Sequence, residues 1–211
     1  MTWSTDVGHY IVDACSMLHF LPAAEQNVLI RLATHRGRQL AVCEQVSSEI
    51  ERVCATKPKY RGTGAENRWR KIKNNRVEIL SDDIAADPAL SQAMDDLHGE
   101  DDQHDGPLSE RLRKQNNLGE FISAAHALSL ARQGHRVTVI VDDRDGRRLV
   151  DLAAYVLSED KEDHGGAVGV SSTRSVLAAA ERQDSTWIAA GSVMAALEKM
   201  SRLEDVPTWF H

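Results

Sequence analysis

The sequence predicts an α/β fold, a three-layer sandwich around a mostly parallel central sheet, with additional helices at its C-terminal end. Three observations carry this expectation. Apolar runs of strand length recur at Tyr10 to Cys15, Gln39 to Cys43 and Val137 to Val141. Stretches with helical apolar spacing separate them, and strands that alternate with helices favour parallel pairing through helical crossovers. Capping residues and glycines fall at the joints.

The first strand is apolar except for Asp13, and Ser16 is placed to cap the helix that follows. That helix carries Met17, Leu18 and Leu21 and is interrupted at Pro22. Ala23 to Thr34 repeats Val28, Leu29, Leu32 and Ala33 at helical spacing, and Gly37 suits its end. After the second strand, Ser47 or Ser48 is expected to cap a helix holding Ile50, Val53 and Cys54. Pro58, Gly62 and Gly64 break the pattern. Asn67 to Lys73 reads as a short basic helix and Val77 to Leu80 as a brief strand. Ala85 to Leu97 is compatible with a helix and runs into a polar loop. Phe121, Ile122, Ala125, Leu128 and Ala131 define an amphipathic helix that ends at Gly134, ahead of the Val137 strand. Ser172 to Arg182 and Trp187 to Met200 are two further helices, and Pro207 to His211 ends the sequence. The expected organisation is one domain over residues 1–155 with an insert near 82–117, then a helical extension over 156–211.

With 211 residues, 42% of them apolar and 27% charged, the composition is that of a water-exposed globular protein. No run of 18 apolar residues is available to span a membrane, and the first residues lack the basic and apolar regions of a secretion signal. Cys15, Cys43 and Cys54 follow no metal-ligand spacing. These features point to a reducing cytoplasm. The net charge of −7 conceals a strong asymmetry: eight Lys/Arg and one acid lie between Lys57 and Arg76, whereas nine Asp/Glu and no Lys/Arg lie between Asp82 and Asp105. A local basic patch governs polyanion binding more than the sum does, and the plainer reading is that both runs are solvated faces.

Four acidic positions stand where an apolar strand or helix would not choose a charge: Asp13, Glu49, Glu120 and the pair Asp142-Asp143. Asp13 and Asp142-Asp143 close apolar strands, and sites in such sheets form at the carboxyl ends of strands. Glu49 and Glu120 are expected in the first turns of helices, where the dipole favours negative charge. Burying a carboxylate is costly unless something pairs with it, and four from separate segments suggest a shared cation. Oxygen ligands suit hard ions such as Mg²⁺.

The order of these motifs resembles the PIN-domain nucleases, particularly the VapC-like toxins of bacterial toxin–antitoxin pairs. Val12-Asp13-Ala-Cys-Ser16 looks like the family's opening strand with its metal-binding Asp, and Val46-Ser-Ser-Glu49 is similar to its second acidic motif. Leu118-Gly-Glu120-Phe-Ile resembles the third, and Ile140-Val-Asp142-Asp143-Arg-Asp145 the fourth. The likeness covers roughly residues 9–155. It implies Mg²⁺- or Mn²⁺-dependent hydrolysis of RNA phosphodiesters, with Asp13, Glu120 and one of Asp142 or Asp143 as inner ligands and Glu49 ligating directly or through water. Ser16 would orient a metal-bound water, and Arg68, Lys71, Lys73 and Arg147 would contact the RNA. A cognate antitoxin covering the acidic cleft and a homodimer are further implications.

Each residue also has a plainer role. Asp13 would cap the next helix, Glu49 would pair with Arg52, Glu120 would cap with Asn116 or Asn117, and Asp142-Asp143-Arg-Asp145-Gly would be a turn. Arg147 and Arg148 would pair near Asp151, His126 would pack, and Trp69 would either stack an RNA base or anchor the basic helix. Two rival functions remain: a Toprim-like phosphoryl-transfer enzyme using Asp143 and Asp145, and a catalytically idle module binding RNA or a protein. The first wants a Glu where Asp13 stands; the second would retain mutually repelling acids without use.

Overall fold

A computed structural model describes residues 8–104, 106–113, 117–162 and 164–202. Five strands form one sheet: β1 (Gly8–Val12), β2 (Arg38–Cys43), β3 (Glu78–Leu80), β4 (Arg136–Ile140) and β5 (Ala167–Ser171). Their order is β3-β2-β1-β4-β5, and every pairing is parallel. The chain therefore steps outward from β1 through β2 to β3, then returns to β4 on the other side of β1. That reversal makes the carboxyl ends of β1 and β4 the switch point of the sheet.

Helices cover both faces: α1 (Ala14–Ala23), α2 (Gln26–His35), α3 (Glu44–Thr56), α4 (Ala65–Lys73), α5 (Pro88–Gly99), α6 (Leu108–Arg111), α7 (Leu118–Arg132), α8 (Arg144–Glu159), α9 (Thr173–Gln183) and α10 (Val193–Ser201). The two-residue alternation of strands divides the apolar residues between the faces. Ile11, Ala41, Val137, Val139 and Val141 pack with Ala127 of α7 and Val150 of α8. Val12, Leu40, Val42 and Ile140 belong to the larger core with Phe20, Leu21 and Leu29 of α1 and α2. Strands buried on both faces need apolar residues at successive positions, which is why β1 and β4 read as continuous runs.

Several boundaries differ from expectation. Asp13, not Ser16, is the N-cap of α1, because β1 ends at Val12 and the turn starts at once. The third helix begins at Glu44 directly after β2, so Ser47 and Ser48 lie within it rather than capping it, and Glu49 falls in its second turn. The expected helix from Trp187 to Met200 is divided by Gly191, at φ +86°, and restarts with Ser192 as N-cap of α10. The strand β5 had no expected counterpart. It also corrects the domain division: a boundary at 155 would cut α8, and β5 completes the same sheet. Val176, Leu177, Ile188, Leu197 and Met200 join the main core. Pro207 to His211 lies outside the described residues.

The acidic insert is likewise integral. Leu90, Ala93, Met94 and Leu97 of α5 are buried in the core. Its charges divide: Asp83, Asp95, Glu100 and Asp102 are exposed, as a solvated face would be, while others are ion-paired. Asp96 meets Arg132 at 2.6 Å, and Asp101 receives both Arg148 at 2.7 Å and Arg111 at 2.8 Å. Arg148 thus pairs across the insert instead of near Asp151. Among the described residues no helix is long and apolar enough to cross a membrane.

Candidate functional site

The switch point brings acids from four segments together. Asp13 leaves β1 with its N–H on the Ile140 carbonyl of β4, at 3.1 Å, and its carboxylate accepts the Ser16 N–H at 3.4 Å. The expected cap and the candidate ligand are thus the same side chain, and the cap uses one of its two oxygens. Asp13 is 1% exposed. Burial pushes its carboxyl up to about 8, and the charges of Glu120 and Asp143 add to the shift, against opposing N–H groups of Ser16 and Cys15.

Glu120 stands in the first turn of α7, as its sequence context suggests. Burial raises its carboxyl, and the neighbouring charges of Asp143, Glu49 and Asp145 raise it further, against its own backbone N–H. Glu49 approaches Glu120 from α3, and Gly119 lets Val46 of that helix pack close against α7. A Cβ at Gly119 would lie 3.2 Å from Val46 Cγ2 and 3.8 Å from Glu49 Oε2. The Glu49 side chain is 37% exposed and has only a loose contact of 3.9 Å with Arg52. Cys15, exposed beside the acids, has its thiol raised by desolvation and then by Asp13, Glu120, Asp143 and Glu49 together.

Asp142 and Asp143 diverge, as consecutive residues must when the chain leaves a strand. Asp142 turns toward α1 and α9 and accepts from Ser16 Oγ at 3.0 Å, the Thr173 N–H at 2.9 Å and the Thr173 hydroxyl, with His19 Nδ1 at 3.3 Å. Burial alone would raise it; the His19 and Thr173 hydrogen bonds outweigh that and hold it below the usual carboxylate range. Asp143 faces the cluster. Its Oδ1 accepts the Gly146 N–H at 2.6 Å and caps α8, while Oδ2 is buried without a partner among the described residues. The inward member of the pair is Asp143, and Asp142 is a tether.

Asp145, which the sequence offered as part of a turn or as half of an Asp-x-Asp pair with Asp143, stands beside the cluster. It raises Glu120 and accepts from Asn117 Nδ2 at 3.4 Å. Asn117 precedes α7 without a side-chain cap, and Asn116 lies outside the described residues. Thr173 was also missed, because the strand that delivers it was not recognised. Among the described residues no group of three or more His, Cys, Asp or Glu is arranged as placed to hold a metal ion.

The expected substrate contacts scatter. Ser16 is fully buried and committed to Asp142, which corrects its role as a water-orienting group. Lys73 pairs with Glu51 at 2.7 Å. Arg68 donates to the Leu21 and Thr63 carbonyls and so fastens α4 to the end of α1. Lys71 is exposed, and Arg147 is half-buried in the first turn of α8. Trp69 is 1% exposed, so it anchors α4 and cannot stack a base. His126, expected to pack, also meets Asp82 at 2.9 Å.

No family model, curated protein or solved structure matches the chain.

Proposed function

We propose that the chain is a metal-dependent endoribonuclease of the PIN-like type that its motifs resemble, hydrolysing RNA phosphodiesters as the toxin of a toxin–antitoxin pair. One observation carries this reading: at the switch point the charges of Glu120 and Asp143 act on Asp13 and those of Asp143 and Glu49 act on Glu120, and no Lys or Arg of the described residues pairs with Asp13, Glu120 or Asp143. Burial, and after it the neighbouring acid charges, disfavours the ionised forms of Asp13 and Glu120, and a bound cation would offset that cost. The buried, unpartnered Asp143 Oδ2 and the all-oxygen donor set fit Mg²⁺ or Mn²⁺. Asp13, Glu120 and Asp143 would hold the ion, with Glu49 and Asp145 at the rim. When bound, the metal supplies Lewis-acid activation of water and of the scissile phosphate.

The protein's own part is positioning and proton balance. The Gly146 N–H fixes Asp143 Oδ1, and the Asp142 clamp on Ser16 and Thr173 holds the turn from which Asp143 projects. The Asp13 carboxyl must release its proton before the pocket carries its full charge, so ion binding and activity rise with pH toward about 8. Glu49, more than a third exposed, is reached by solvent and can accept a proton from the attacking water. On this reading the protein works in the cytoplasm, a cognate antitoxin covers the pocket, and the chain forms a homodimer.

The test is incubation of the purified chain with mixed RNAs. Cleavage should require Mg²⁺ or Mn²⁺, stop with chelator, and fall at least about 100-fold in Asp13→Asn and Glu120→Gln. Cleavage that persists in chelator, or survives both substitutions, would contradict the proposal.

A further inference from the structure

We propose that the groove between α2 and α4 is a binding track for single-stranded RNA, distinct from the carboxylate pocket. It rests on the ribonuclease reading only for the choice of polyanion.

The groove has a volume of about 1200 Å³ and is lined by Arg31 and His35 from α2, Arg68, Lys71 and Arg76 from α4 and its end, and Trp187. Four fixed cations and a histidine line it, and none of its lining residues is acidic. In a chain of net charge −7 that is a marked local reversal. The nearby acid, Asp184, is outside the lining; it accepts from the Thr186 N–H and hydroxyl at 2.9 and 2.7 Å and its charge also acts on Arg31, leaving Lys71 and Arg76 as the cations clear of any acid among the described residues. Lys71 and Arg76 are exposed and make no ion pair among the described residues, whereas Arg70 and Lys73 on the same helix are paired with Glu66 and Glu51. The ion-paired Arg70 and Lys73 thus lie outside the groove lining, whereas Lys71, Arg76 beyond the helix end and the carbonyl-bound Arg68 lie within it.

Spacing supports a linear ligand. Arg31 and His35 are four apart on one wall, and Arg68 and Lys71 are three apart on the other, so each wall presents two hydrogen-bonding side chains one helical turn apart. Trp187 is half-buried and held edge-on by His35, with ring centres 5.7 Å apart. A positive channel beside a fixed indole is the combination that holds single-stranded nucleic acid, with charges on phosphates and a ring against a base. An acidic polypeptide would use the charges but has no base to set against Trp187.

The track does not overlap the acids. Arg68 joins the groove to the Leu21 carbonyl near the far end of α1, eight residues beyond Asp13, about 12 Å along the helix. An RNA lying in the groove would be held at a distance from the cutting site.

The experiment measures anisotropy of a short fluorescein-labelled oligouridylate with the full chain in EDTA, across a salt series. The Arg31→Glu, Lys71→Glu, Arg76→Glu triple variant should bind about tenfold or more weakly, with a log–log salt slope shallower by about 2. Trp187→Ala should weaken binding without altering that slope. Equal affinity and slope for parent and triple variant would overturn the proposal, as would tighter binding of polyglutamate than of RNA at equal charge. Should the triple variant fail to fold by circular dichroism, 4-thiouridine crosslinks on the unaltered chain must map to α2, α4 or Trp187, and crosslinks confined elsewhere overturn it. Mg²⁺-dependent cleavage separates the two readings. A chain that binds through the groove yet does not cut refutes the nuclease alone; one that cuts while the triple variant binds normally refutes the groove alone.

Discussion

Replacing Asp13 by Asn removes an ionisable group that is 1% exposed while keeping its size and its ability to cap α1. Burial, aided by Glu120 and Asp143, lifts the folded carboxyl from 3.8 to about 8. Between those values the native state keeps a proton that the unfolded chain has lost. The native state binds more protons, so stability falls as pH rises through this window. At pH 7 the accumulated cost reaches up to about 4 kcal/mol, at roughly 1.4 kcal/mol for each pH unit above 3.8. Asn does not titrate and escapes that cost. The variant should therefore match the parent near pH 4 and exceed it progressively toward pH 8. For a chain of this size each kcal/mol moves the midpoint by about 2–4 °C, so a gain of about 10 °C at pH 7 is expected. Thermal unfolding in EDTA at several pH values reads this directly. A variant less stable than the parent at pH 7, or a difference that does not change with pH, would refute the electrostatic reasoning.

Asp101→Asn should be among the most destabilising substitutions, since it leaves the buried Arg111 and half-buried Arg148 without their anion, a loss of about 3–5 kcal/mol by denaturant titration. Burial disfavours the Asp101 charge, but the hydrogen bonds from Arg148, the Gln103 N–H and Arg111 win and lower its carboxyl to about 2. Its stabilisation is thus complete above about pH 4 and disappears as pH falls toward 2, so the parent and variant should converge in acid. Trp69→Ala should cost about 3–5 kcal/mol through the cavity it opens beneath α4, and it should weaken RNA binding only through lost folding. A variant that folds normally but binds RNA poorly would restore the stacking role.

The sheet was legible where burial on both faces forces continuous apolar runs, as in β1, β2 and β4. It was not legible at β5, an edge strand of sequence Ala-Val-Gly-Val-Ser whose residues are mostly half-exposed and whose apolar signal is correspondingly weak. Missing β5 concealed Thr173 as well, and with it the reason Asp142 turns away from the other acids. Residue types at the pocket could be read from the chain because charges that end apolar strands stand out. Side-chain direction could not, since it depends on where the strand stops: Val12 rather than Cys15 in one case, Ile140 in the other. The acidic insert misled for a different reason. Its partners Arg111, Arg132 and Arg148 are distant in sequence or lie on other elements, and composition alone cannot pair them.

The central claim is that carboxylates from four segments form one cation pocket. Titration of the purified chain with Mn²⁺, followed by loss of the free-ion paramagnetic resonance signal, tests it most directly. Saturable uptake that Mg²⁺ displaces, that strengthens from pH 6 to pH 8 as Asp13 gives up its proton, and that disappears in both Asp13→Asn and Glu120→Gln is the expected result. Uptake that is absent, or equal in the parent and the two variants, would contradict the account.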